Sequence, residues 1–184
     1  MTVFYNIGQS FVNYNTDPTQ HRIFNKIVIQ MLKLYDNCLI FILEKNISID
    51  RLPSTIQKDI FALKKYCQAK CAFVEKWRAV ESESDWISFW WEDKLENIDY
   101  DLACEEYDEC LYCNEWKKVE EEKESMDLYL EKLTKELTKA ENIVKEVTMK
   151  IPTHLSHLTK RVIPVYSWSK QSWTFHFKQN VCLR

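Results

Sequence analysis

Apolar residues recur through the second half of the chain at Met126, Leu130, Leu133, Leu137, Ala140, Val144, Val147 and Ile151, in alternating steps of four and three. That spacing keeps one apolar side chain on the same side of every helical turn and defines a heptad seam, with d at Met126 and a at Leu130. Carried backwards, the register takes in Lys123 as a polar a position, then Val119, Trp116 and Tyr112, and fails at Glu109 and Glu105. It resumes at Trp91, Leu95, Ile98 and Leu102, and between the two stretches the stripe shifts to Cys104, Tyr107 and Leu111. Such a shift marks a stutter, a kink near residues 97–101 or a change of partner. Neither proline nor glycine interrupts the chain from Asp85 to Lys150. The pattern therefore predicts one long helix over 84–150, capped by Ser84 and forming a coiled coil from about residue 112. Glu131 with Lys135, Glu141 with Lys145, and Glu146 with Lys150 support it as four-residue ion pairs in the favourable order.

Two helices are predicted upstream. Asp17 as N-cap, Pro18 at the first helical position and Gln20 at N3 open the first, which carries an apolar stripe through Ile23, Ile27, Met31, Leu34 and Cys38 to about Lys45. The connector "NISIDRLP" ends it, because Pro53 disfavours helical geometry in the residue before it. Ser54 starts the second, with Gln57 as capping-box partner and an apolar face through Ile56, Ile60, Leu63, Cys67, Cys71 and Val74. Two long helices with so short a link are expected to lie antiparallel. After Ile151-Pro152 the period changes to two: Tyr166 and Trp168, then Trp173, Phe175 and Phe177, alternate as in strands. A hairpin alone is marginal in water, so this tail is expected to dock, either on its own helical head or on a neighbouring chain.

The predicted organisation is thus an N-terminal arm and two-helix head over 1–83, the long helix over 84–150 and a docking tail over 151–184. The fold class is all-α, an antiparallel helical head followed by a long coiled-coil helix, with a short aromatic β-like or irregular C-terminal tail. Composition narrows the field further. A single glycine, Gly8, argues against glycine-rich nucleotide-binding folds and β-sandwiches. The start shows no signal-peptide pattern, and the most apolar run is broken by Gln30, Lys33 and Asp36, so a cytoplasmic or nuclear protein is expected, its seven cysteines reduced. Charge is strongly segregated. Residues 1–91 hold 11 basic and 9 acidic side chains, residues 92–124 hold 4 and 14, and residues 125–184 hold 10 and 5. A parallel homodimer would set the acidic segment against itself, which favours an unlike partner.

"SDWISFWWED" puts Trp86, Phe89, Trp90 and Trp91 all round one helix, so this segment is expected to be enclosed by more than one neighbour, as a bundle core or as a partner-facing hot spot. Sites of chemistry are thinly signalled. Cys67 with Cys71 and Cys110 with Cys113 have helix-face spacing but lack the turn residues of zinc knuckles, and His154 with His157 lack a third ligand. The carboxylates of "CEEYDEC" lie along a helix with no Glu-x-x-His partner, and Lys160-Arg161 is too small a basic cluster for nucleic acid.

No catalytic, metal or cofactor site is therefore expected, nor a membrane or small-molecule partner. The expected role is a non-enzymatic scaffold or assembly subunit of a hetero-oligomeric complex. Its expected partner-binding residues are Trp86, Trp90, Trp91, Tyr112, Trp116, Val119, Met126, Leu130, Leu133, Leu137, Ala140, Val144, Val147, Trp168, Trp173 and Phe175. In its order of head, coil, "IP" stop and small Trp-containing tail the layout resembles coiled-coil subunits of outer-kinetochore and spindle complexes, and equally of tethering or centriolar assemblies. That resemblance implies work in complex assembly, such as cell division. The alternative is a compact helical-bundle binding module, viral ones included, with a groove for a partner helix.

Overall fold

The computed structural model describes residues 18–97 and 111–178. The N-terminal arm, Asp17 and the "CEEYDEC" run lie outside them. The described chain is mostly helical: α1 (Pro18–Lys45), α2 (Ser54–Asn97) and α3 (Leu111–Met149) are followed by a 3-10 turn (Thr153–Leu155), a short α4 (Ser156–Thr159) and the strands β1 (Val162–Ser167) and β2 (Ser172–Phe177).

Helix α1 begins at Pro18 and closes at Lys45, the bounds expected from Pro18 and from the connector that follows. Its end carries a signal the proline-based argument passes over. Asn46 adopts a left-handed φ of 49°, the Asn46 N–H donates to the Leu43 carbonyl, and the Ile47 N–H donates to the Ile42 carbonyl at 3.1 Å. This is a Schellman cap with asparagine in the usual glycine position. Helix α2 begins at Ser54 as expected. The Gln57 side chain does not complete a capping box; its amide donates to the Leu52 carbonyl at 2.8 Å and so ties the helix to its own connector.

Two expectations are corrected. The helix starting at Ser54 does not end within the head, ahead of a new helix capped by Ser84, but runs on through Ser84 to Asn97. Serine inside a helix costs only a few tenths of a kcal/mol, and this stretch recovers more by burying Ile87 and half-burying Val80 and Ser84. Nor do residues 84–150 form one straight rod. Lys76 pairs with Glu136, Trp91 packs at a tilt against Trp116, and Val147 shares a core with Leu63 and Cys67. Partners falling in number along α3 as they rise along α2 mean that the two helices are antiparallel. The chain has reversed between Asn97 and Leu111, the interval in which the seam register fails.

Along α3 the half-buried or buried positions are Trp116, Val119, Lys123, Met126, Leu130, Leu133, Leu137, Ala140, Val144 and Val147, joined only by Glu136. These are the predicted seam. The element packed against them is α2 of the same chain, so the apolar periodicity alone does not call for a second molecule.

The core lies at one end of this hairpin. Leu39 and Leu43 of α1, Ile60, Leu63, Tyr66 and Cys67 of α2, Val147 of α3, then Leu155, Leu158, Val162 and Phe177 form one buried cluster. The tail docks on its own head. β1 and β2 pair antiparallel from Val162↔Phe177 to Ser167↔Ser172, and Gln171 turns the hairpin with a φ of 48° in place of glycine. Lys70 Nζ donates to the Val162 carbonyl at 3.0 Å, Cys71 Sγ to the Thr174 carbonyl at 3.2 Å, and the Phe177 N–H to Glu44 at 2.9 Å. Burial pushes the Cys67 thiol up to about 12, with Cys71 adding to the effect. At pH 8 the native protein is expected to alkylate with iodoacetamide at exposed Cys38 but not at Cys67, which reacts only in denaturant. Peptide mass spectrometry checks this, and native labelling of Cys67 would contradict its burial.

Candidate docking surfaces

The end of the molecule that holds the core fixes α1 through polar side chains. Asp59, itself buried, accepts a hydrogen bond from the Tyr35 hydroxyl and lies 2.9 Å from His154 Nε2. A carboxylate only accepts, so His154 carries a proton on Nε2. One turn from His154, His157 Nε2 reaches Asp36 at 2.7 Å. Burial raises the Tyr35 pKa, and the hydrogen bond to Asp59 raises it further, so Tyr35 remains a donor across the physiological range. The two histidines considered as metal ligands each serve an aspartate and clamp the turn after α3 onto α1 and α2. Among the described residues, no group of three or more His, Cys, Asp or Glu side chains is placed to hold a metal ion.

With that face anchored, the opposite face of α1 is uncovered. Tyr35, Leu39, Ile40, Ile42 and Leu43 face the core. Ile27, Met31, Leu34 and Phe41 are exposed, Leu34 at 65%, and Cys38 between them is exposed as well. The stripe legible in the sequence is thus the outward one. The helix is apolar on two sides, and period alone could not say which side the rest of the protein would take.

At the far end of the hairpin stand the tryptophans. Trp90 and Trp91 have ring centroids 6.2 Å apart, and Trp91 and Trp116 5.9 Å apart. Lys123 Nζ sits 4.3 Å from the centre of the Trp91 ring, a cation–π contact that explains a lysine at an a position of the seam. Enclosure from several sides is not found. Ile87 is buried and Trp90 and Trp91 are half-buried, but Trp86 is exposed and Phe89 is 70% exposed, because α1 packs at the other end of α2. Beside Trp91 and Trp116 opens a cleft of about 490 Å³, lined on α3 by Lys123, Leu128 and the carboxylates Glu120, Glu124, Asp127 and Glu131. The Trp116 indole N–H donates to Glu120 at 2.9 Å.

The remaining expected partner-binding residues are spread over the molecule. Those from Val119 to Val147 face α2, and of Tyr112 only its place in α3 is described. Trp173 packs edge-on to Tyr166 and Phe175 edge-on to Phe177, both half-buried. Trp168 projects from the hairpin turn, 85% exposed. Phe175 also lines a second cleft of about 540 Å³, between the end of α1, its connector and the hairpin, with Glu44, Ile47 and Lys170 at its rim. Cys67 and Cys71 are buried, and no described helix is long and apolar enough to cross a membrane. Compared with known protein families, with characterised proteins and with solved structures, the chain matches none of them.

Proposed function

We propose that this protein is a non-enzymatic assembly subunit of a hetero-oligomeric complex in the cytoplasm or nucleus, holding other protein chains against the uncovered face of α1. The observation that carries the proposal is the stripe Ile27, Met31, Leu34, Cys38 and Phe41. It has steps of four, three, four and three and stands exposed on a helix that the Tyr35–Asp59 and Asp36–His157 contacts anchor from Tyr35 onward; ahead of Tyr35, Ile29 and Leu32 on the other side are exposed too. An apolar stripe with heptad spacing on a helix anchored at its C-terminal end is what a partner helix packs against, and its burial would remove from water side chains that nothing in the described chain covers.

Co-purification of the tagged protein from its native source, followed by cross-linking mass spectrometry, tests the idea. Cross-links from Lys26 and Lys33, which flank the stripe, to a co-purifying chain are expected. The double substitution Met31→Asp with Leu34→Asp is expected to weaken that association about a hundredfold, since two hot-spot side chains become charged. Both positions are exposed, so helicity should not change. Undiminished association of the double variant would reject α1 as the docking face.

A further inference from the structure

The α1 face and the acidic tryptophan cleft are complementary to one another, and they sit at opposite ends of the same molecule. On α1 ahead of Tyr35 stand the exposed Arg22, Lys26 and Lys33, at steps of four and seven. On α3, Glu120, Glu124, Asp127 and Glu131 follow at steps of four, three and four, so three of them match the basic spacing in either direction along the helix. Among the described residues, Arg22, Lys26, Lys33, Glu124 and Asp127 form no ion pair; Glu131 already pairs with Lys135 and Glu120 accepts from the Trp116 indole, so a docked base would share those two carboxylates with their partners in the same chain. Between the carboxylates and Trp91 the cleft offers Leu128 and Trp116 as apolar contact, and α1 brings Ile27, Met31 and Leu34.

A chain cannot satisfy this match by itself. Tyr35 is held at Asp59, and Trp91 lies 32 residues further along the unbroken helix α2, about 48 Å at 1.5 Å per residue. Arg22 is only 13 residues from Tyr35, about 20 Å along α1. The N-terminal half of α1 therefore falls well short of its own cleft.

We propose that a second copy supplies the occupant. The basic stretch of α1 ahead of Tyr35 in one molecule lies in the Trp91–Trp116 cleft of the next, with Arg22, Lys26 and Lys33 against Glu120, Glu124, Asp127 and Glu131. This rests on the reading of α1 as a docking face and makes a second copy, meeting it through an unlike surface, the competitor of a foreign chain for Ile27, Met31 and Leu34. The contact is heterologous and repeats head to tail, closing into a ring only if the rotation allows. The like-charge objection to a parallel homodimer does not apply, because acid meets base at each junction.

Sedimentation equilibrium on the full chain tests this. At about 50 mM salt the average mass is expected to rise with concentration, and at about 500 mM to fall back to the monomer as screening shortens. The double variants Lys26→Glu with Lys33→Glu, and Glu124→Lys with Asp127→Lys, are each expected to lose at least about tenfold in self-affinity while keeping native helicity. Mixed in equal amounts they should associate again, since each then presents the charge the other lacks. A wild-type monomer at every concentration in low salt, an unchanged mass in either variant, or no recovery on mixing would each overturn the proposal. If the wild type stays monomeric while Met31→Asp with Leu34→Asp still releases a foreign chain, the docking role of α1 stands and the second-copy occupant falls.

Discussion

Replacing Leu63 by alanine is expected to lower the stability of the protein by about 2–5 kcal/mol, the range found when a fully buried leucine is truncated in a core that cannot collapse around the cavity. Leu63 is 0% exposed, and its cluster draws on α1, α2, α3 and the hairpin together, so no single element can move in to fill the space. Phe61, two residues earlier, is an internal control: it is large and apolar but exposed, and its alanine substitution is expected to change stability by no more than about 0.5 kcal/mol. Urea unfolding of both variants decides the matter. Equal losses from the two positions would mean that the core is not where these contacts place it.

The second large effect is expected at Asp59. Its carboxylate is buried and serves both the Tyr35 hydroxyl and His154 Nε2. Asp59→Ala leaves two donors without an acceptor, and at about 1–3 kcal/mol for each group left unpaired the loss is expected to reach about 3 kcal/mol. Asp59→Asn keeps one oxygen acceptor and should lose less. The alanine variant should also loosen α1 on α2, while the Asp36–His157 contact remains, read as faster hydrogen exchange in residues 35–43 than in α3. An Asp59→Ala protein as stable as the parent would show that these contacts are formed but not needed.

How far the sequence foretells this structure depends on what each residue pattern constrains. Helix boundaries set by proline and by capping residues, at Pro18, Lys45 and Ser54, were legible because they follow from the backbone chemistry of those residues. The face of α3 from Trp116 to Val147 was legible because a strict heptad fixes one side of a helix whatever covers it. The covering element was not, since an apolar seam reads the same against another chain or against α2. The reversal between Asn97 and Leu111 has no proline or glycine to announce it, and it is the pairing of Trp91 with Trp116 and of Lys76 with Glu136 that reveals it. The exposed side of α1 was legible as a stripe, but its exposure depends on Asp36 and Asp59 engaging His157 and His154 more than a hundred and nearly a hundred residues away. Periodicity holds no information about contacts of that range.

The docking of the β-hairpin bears on how the polypeptide is made. Leu39, Ile60 and Leu63 are roofed over by Leu155, Leu158, Val162 and Phe177, which leave the ribosome only after all three long helices. A nascent chain can zip α2 to α3 as soon as both have emerged, but its greasiest cluster stays open until the hairpin follows them. A message cut short ahead of Val162 would yield a product with its helices formed and its interior unsealed, a natural client for chaperones and proteases.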